Sequence, residues 1–343
     1  MKRAVVVLAI LTIALVAVCV LRLLAASTGG FSWTDNPALL SIRFSRLFSG
    51  LAVGAALGGA GVILQTLLRN PLASPDVVGV SSGASFGVML NLYLSARSVI
   101  GVTLATSAAW QFVPAAAGAA AVLAVLVASA GWTVLGGKAR AATGSPAEPV
   151  TLLLTGVVIS ILCGAGVMFL QYLLPDAGWG TAKLLMGSLS DDYPWTWTAA
   201  AAGVVAVAVA TIAAAGPTLD ALALPNDEAV SVGVDVPRVR LAALLATGGL
   251  TTVAVVIAGP VGFVGLVAPH AARITLGPQG GASRHALLLP AAAIAGAAII
   301  VAADTLVRTI SPGAGRMPLG VLTALLGGPT LIILLRKEAR GRA

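Results

Sequence analysis

Ten apolar runs divide this chain and leave only short connections between them. They cover residues 4–25, 46–68, 79–96, 111–135, 150–174, 195–215, 241–258, 260–274, 286–308 and 318–335. A helix needs about 20 such residues to cross the ~30 Å hydrocarbon layer of a bilayer, and backbone groups facing lipid can be satisfied only within the segment. Each run is therefore expected to be a helix. The third, eighth and tenth are short, and the seventh and eighth are parted only by Gly259 and Pro260. Charged residues make up 9% of the 343 and hydrophobic ones 58%, whereas a soluble domain carries roughly 25% charge. So little polar surface cannot cover a globule in water, and lipid is the expected solvent. The expected fold is an all-α polytopic membrane protein with about ten transmembrane helices, a single domain over residues 1–343 with no room for a long extramembrane part.

A net charge of +8 would point to nucleic acid in a soluble protein. Here the basic residues fall in short loops, so topology accounts for them and no nucleic-acid partner is expected. With ten spans and the N-terminus inside, the cytoplasm holds Lys2, Arg3, Arg69, Lys138, Arg140, Arg238, Arg240, Arg273, Arg284, Arg336, Lys337, Arg340 and Arg342, thirteen of the 20 basic residues. The outer side holds Arg22, Arg43, Arg46, Arg97, Lys183, Arg308 and Arg316. That asymmetry places both termini in the cytoplasm. Lys2 and Arg3 ahead of an apolar stretch have the look of an export signal, but Ala4 to Leu24 exceeds the ~7–15 residues of a signal core, which favours an uncleaved first helix. Cys19 and Cys163 lie inside apolar runs and read as small buried hydrophobes.

Glycine spacing indicates how the spans pack. Gly50, Gly54 and Gly58 recur every four residues in the second span, and Gly79, Gly83 and Gly87 do so in the third. Such faces let helix backbones approach closely in lipid, where no hydrophobic force drives association. Two stretches also look related: paired arginines (Arg43 and Arg46; Arg238 and Arg240), then a small-residue span, then a Gly/Pro-rich interruption. A repeated half fits a transporter.

Catalytic constellations are not found. The two histidines, His270 and His285, are 15 residues apart and neither sits in an H-E-x-x-H pattern. Gly131 to Lys138 has the wrong spacing for a phosphate loop, and Ala139 stands where a hydroxyl would hold magnesium. The chain is expected to bind no metal and no cofactor, so ATP, if used, belongs to a partner.

Four stretches carry more information. In the first, Pro71 and Pro75 disfavour helix at Asn70 and Ser74, ending the second span. Gly79 to Gly83 then permits a tight re-entry, with Ser81 and Ser82 as candidate caps for the next helix. In the second, Gly259, Pro260, Gly262, Gly265 and Pro269 crowd into an apolar run that ends at His270 and Arg273. That density marks a broken helix, tolerated only where protein or a water-filled cavity surrounds it, and broken helices point to a transport pathway. The third is the polar connection from Gly216 to Arg240, with Asp220, Asn226, Asp227, Glu228, Ser231, Gly233 and Asp235, a natural handle for a soluble partner. In the fourth, Asp304 and Arg308 stand four residues apart, a spacing that lets them pair with each other. Arg43, Arg46 and Arg308 place positive charge at the outer mouth, suited to an acidic docking partner.

These stretches together resemble the FecCD-type permease family of ABC importers for iron–siderophore chelates, haem and cobalamin. The resemblance runs from about Arg43 to Leu335. It is carried by Leu64-Gln65, Arg69-Asn70-Pro71-Leu72-Ala73 with Pro75, Gly79 to Ala84, Gly259 to Arg273, Leu289-Pro290 with Ala303-Asp304, and Pro318 to Pro329. Gly187-Ser188-Leu189, with Trp179 and Trp195, is similar to the family pattern too. Two departures stand out: Arg43-Phe44-Ser45-Arg46 lacks the proline usual between those arginines, and Arg316 replaces an acidic residue common before Pro318.

The resemblance implies ten helices per subunit, two permease subunits (a homodimer here) around one pathway, and two cytoplasmic ATP-binding subunits that hold ATP and magnesium. It implies coupling helices within residues 216–240, and an extracytoplasmic substrate-binding protein whose glutamates meet Arg43, Arg46 and Arg308. The location implied is the cytoplasmic membrane of a prokaryote. Transport is expected by alternating access without a catalytic site in this chain, with ferric siderophore chelates as the expected cargo and cobalamin or haem as alternatives. An ion-coupled secondary transporter is the rival class; it needs an ionisable residue in mid-span, for which Asp304 is the candidate.

Overall fold

The computed structural model describes residues 2–25, 30–97, 108–129, 147–174, 186–191, 193–280, 284–310 and 317–341. Among these residues the chain forms twelve helices: α1 (Lys2–Leu24), α2 (Pro37–Leu67), α3 (Val80–Arg97), α4 (Ala108–Ser129), α5 (Ala147–Tyr172), α6 (Trp195–Ala214), α7 (Gly216–Leu222), α8 (Asn226–Ser231), α9 (Val236–Ala258), α10 (Val264–Gly280), α11 (His285–Ile310) and α12 (Leu319–Gly341). The ten predicted runs correspond to α1–α6 and α9–α12. Seven helices (α1, α2, α4, α5, α6, α9 and α11) are long and apolar enough to cross a membrane. The expected count of ten is thus met by seven on length and composition, and the other three are the runs predicted to be short. α3 carries Ser81, Ser82, Ser85, Ser95, Asn91 and Arg97; α10 has 17 residues with a break at Gly277; the described apolar part of α12 is Leu319–Thr330.

α2 is the axis of the bundle. Asn36 caps it, its Oδ1 accepting the Ala38 N–H at 3.0 Å, and Pro37 sits at the first helical position, where its missing N–H costs nothing. Of its apolar window 83% is buried, against 6% for α1. The burial comes from the glycine row. A Cβ on Gly54 would run into the carbonyl of Gly296, one on Gly58 into that of Ala292, and one on Gly61 into that of Gly265. α11 and α10 therefore lie backbone to backbone on α2. The second glycine row works the same way, Gly83 and Gly87 of α3 meeting Gly118 and Pro114 of α4. Contact this close supplies dispersion that lipid cannot replace.

The helices define two ends. Leu67, α7, α8 and the starts of α9 and α11 share one, the coupling end; Arg22, Pro37, Trp195 and Ile310 share the other, the far end. At the far end Phe44, Phe48 and Trp195 stack with ring centroids 6.4–6.5 Å apart, and Tyr193 packs on Trp197 at 5.1 Å. Aromatic rings of this kind settle at a membrane–water interface.

The glycine row yields a direct test. Gly54→Val should destabilise the detergent-solubilised protein by about 1–3 kcal/mol, the usual cost of overpacking. Gly203→Ala, at a position with nothing within 4 Å of the added carbon, should not lower its thermal unfolding temperature.

Candidate functional site

The two Gly/Pro stretches, nearly 190 residues apart in the chain, meet. α2 ends in a residue at positive φ, Arg69 (φ 46°), and Asn70 then folds the chain into an Asx turn, its Oδ1 accepting the Leu72 N–H at 2.9 Å. Pro71 is exposed and Pro75 buried. The Pro75 carbonyl accepts the N–H groups of Val80 and Ser81 at 3.1 and 3.5 Å, so α3 begins at Val80 with Gly79 (φ 86°) just before it. Ser81 and Ser82 thus lie inside the helix and do not cap it as predicted; a backbone carbonyl does that work.

Across from this turn α9 stops at Gly259 (φ 68°), and Phe263 (φ 67°) precedes α10. Pro75 packs against Gly265, and Asp76 reaches Gly262, next to Phe263. The carboxylate therefore stands at the N-terminus of the broken helix, where the helix dipole favours negative charge. Burial nevertheless raises the Asp76 carboxyl to about 6, with the Ser81 hydroxyl and the Phe263 N–H pulling the other way. Pro269 is buried within α10 and His270 half-buried beyond it. Phe263 also fills the space beside Gly327, so α12 seats on the same break.

At the coupling end the chain turns through α7, which lies on the bundle with Leu219 and Leu222 buried, and then α8. Asp227 and Glu228 are exposed in the first turn of α8, where negative charge suits the helix N-terminus. Ser231 is exposed and donates to the Glu228 carbonyl at 2.7 Å. Gly233 (φ 85°) makes the turn into α9, which Asp235 caps by accepting the Arg238 N–H at 3.3 Å. Asn226 opens α8, its side chain outside the described residues. Asp220 departs from expectation: its Oδ1 turns into the protein and accepts the backbone N–H of His285 at 2.8 Å.

The far end holds the largest correction. Asp304 does not pair with Arg308. It accepts Arg22 Nε at 2.5 Å and also binds the Arg46 guanidinium. Arg46 continues to Leu189 O at 2.9 Å and to Asp191 at 2.8 Å, and Arg308 meets the same Asp191 oxygen at 3.0 Å. Arg43 donates to the carbonyls of Leu23 and Ser32 at 2.5 and 2.8 Å. All three predicted docking arginines are thus only 5–7% exposed and bonded within the chain, instead of standing open at the mouth. The carboxylate suited to an ion-coupled carrier is held between two guanidinium groups. Asp191 was not singled out from sequence; its signal was an acid just past Gly187-Ser188-Leu189 in a connection facing several arginines. Trp179 and Arg316 lie outside the described residues, and among the described ones no group of three or more His, Cys, Asp or Glu is placed to hold a metal ion.

The profile of the FecCD transport family matches residues 3–337. The chain belongs to the FecCD transport family. It is 36% identical over 326 residues to the vitamin B12 import system permease protein BtuC of Vibrio cholerae, covering 93% of this chain and 90% of that one. It is 34% identical over 305 residues to the hemin transport system permease protein HmuU of Yersinia pestis, covering 89% and 84%. A solved metal-chelate type ABC transporter in an inward-facing conformation superposes with a TM-score of 0.77 at 27% identity, over 97% of this chain and 99% of that one. The chain is accordingly a multi-pass membrane permease of the ABC-importer class.

Two substitutions probe these arrangements. Asp304→Ala leaves the buried Arg22 guanidinium without a carboxylate and Arg46 with Asp191 alone, and should cost about 3–5 kcal/mol, read as a loss of thermal stability in detergent. A carboxyl whose pKa rises from 3.8 to about 6 on folding binds its proton more tightly in the folded state. Its stabilising contribution is full below pH 3.8 and is lost as pH rises through 6. Asp76→Asn should therefore raise the melting temperature at pH 7.5 and flatten its decline between pH 4 and 6.

Proposed function

We propose that this chain forms half of the membrane pathway of a binding-protein-dependent importer of bulky metal chelates, moved by ATP-binding subunits that seat on α7 and α8. The observation that carries the reading is the short-helix pair itself, a handle at the coupling end within residues 216–240 that exposes Asp227, Glu228 and Val230. Nucleotide and magnesium belong to the ATP-binding subunits, and this chain contributes movement and no covalent chemistry. A second copy completes the pathway. The flank of α5, with Leu154, Ile161, Leu162 and Phe169 each over 60% exposed, and the exposed Leu325 and Leu326 of α12 supply apolar surface for that copy and for lipid. The coupling end faces the cytoplasm, with both termini on that side.

At the far end an acidic binding protein reaches Arg46 and Arg308 by displacing Asp191, whose side chain is 34% exposed. The family's arginine positions thereby serve docking through exchange of one carboxylate for another. A ferric siderophore is the cargo proposed from the sequence. A corrinoid is the second reading, favoured by the similarity to the B12 permease.

The reading is tested by co-expressing the chain with its ATP-binding subunits. Wild-type chain should retain them through affinity purification, and hydrolysis in proteoliposomes should rise when loaded binding protein is added. Reversing the charge at Asp227→Lys and Glu228→Lys should cut retention at least several-fold; unchanged retention and hydrolysis would count against α8 as the seat.

A further inference from the structure

α7 is tied into the bundle by a chain of polar groups that crosses three helices. Asp220 Oδ1 accepts the His285 backbone N–H and also lies 2.6 Å from Nδ1 of the His285 ring. On the other side of the ring, Nε2 lies 2.6 Å from Thr66 Oγ1 in α2, and the Thr66 hydroxyl donates to Val62 O at 2.8 Å. His285 and Thr66 are both buried. Two further contacts hold α7 on the same two helices. Gly216 lies so close to α11 that a Cβ would sit 2.5 Å from the Ala286 nitrogen. Arg69, just past α2, donates to the carbonyls of Leu222 and Leu224 at the end of α7, where a cation satisfies orphan acceptors.

Both ring nitrogens of His285 therefore have a side-chain partner, Asp220 from α7 on one side and Thr66 from α2 on the other, so the ring bridges three helices within hydrogen-bond distance.

We infer that His285 is a positioning residue which, through Asp220 and Thr66, delivers movement of α7 to the α2–α11 pair. The inference rests on the reading that ATP-binding subunits seat on α7 and α8. The charged neighbours are Asp220 from α7, Arg69 beyond α2, Arg273 from α10, whose Nη1 is held by Gln65 of α2 at 2.5 Å, and exposed Arg284 next in the chain.

The test uses full-length chain with its ATP-binding subunits in nanodiscs, Cys19 and Cys163 replaced by alanine, and spin labels at Leu94→Cys on α3 and Leu306→Cys on α11, both exposed at the far end. Nucleotide should change this distance distribution in the wild type. His285→Gln and Thr66→Val should retain the ATP-binding subunits and hydrolysis but reduce the change by roughly fivefold or more, the low end of coupling between two sites. Thr66→Ser, which keeps the hydroxyl, should keep the wild-type change. Thr66→Val replaces only the hydroxyl, so it reports even if His285→Gln fails to assemble. Wild-type change in His285→Gln or Thr66→Val would overturn the inference. A wild type that retains no ATP-binding subunit overturns the reading beneath it, and that result appears in the purification before any label is read.

Discussion

In lipid nothing pushes apolar helices together, so close contact between backbones is the constraint on which this structure depends. Around α2 the contact is made possible by absent side chains: Gly54 on Gly296, Gly58 on Ala292, Gly61 on Gly265. The third of these does more than pack. Gly265 lies just inside α10, which begins at mid-bundle after the break at 259–263, and a side chain at Gly61 would push that helix start away. The turn at 70–79 closes on the same helix start through Pro75. The axis helix and the two Gly/Pro stretches therefore form one contact, which sets the start of the broken helix against protein.

Buried charges then fix what backbone packing leaves free. α1 is almost uncovered along its length, yet Arg22 is fully buried against Asp304. Desolvation makes such pairs poor sources of net stability, but a wrong register would strand a charge in lipid, so they select one arrangement. Arg46 and Asp191 extend the selection to the 186–191 segment. Ser188 and Gly187 pin that segment to Ala258 at the end of α9 and to Gly320 at the start of α12. The far end is thus cross-linked by ions and backbone bonds together.

Much of this was legible in the sequence, and the parts that were not share a cause. Runs of apolar residues announce helices, the density of glycine and proline announced the break at 259–263, and four-residue glycine spacing announced which faces would touch. These are local signals. Partner choice is not local: Asp304 could be matched by spacing to Arg308, but its partners are Arg22, 282 residues away, and Arg46, 258 away. Asp220 looked like surface charge because its own helix is polar, and it turns inward only because the N-terminus of α11 arrives 65 residues later with an open N–H. Ser81 and Ser82 had the right chemistry for a cap, but the carbonyl of Pro75 occupied the place first. The three short helices were recognisable as short, while their depth in the bilayer depends on neighbours that no window of sequence contains.

The two ends of the bundle are held by different physics, and that difference bears on the proposed cycle. At the far end three guanidinium groups, Arg22, Arg46 and Arg308, share two carboxylates, Asp304 and Asp191. That excess of positive charge in a low-dielectric setting favours the approach of another acid. At the coupling end Asp220, His285 and Thr66 join α7 to α11 and α2 by hydrogen bonds, so α7 is carried along by whatever seats on it and on α8. On this account an outside partner biases the equilibrium by neutralising charge and an inside partner by moving a joint. Both act on α2 and α11, since Arg46 and Thr66 lie on one helix and Asp304 and His285 on the other. Because those helices are fused along their glycine contacts, a displacement at either end is transmitted as a rigid-body motion, the kind of two-state element through which separate partners can influence one another.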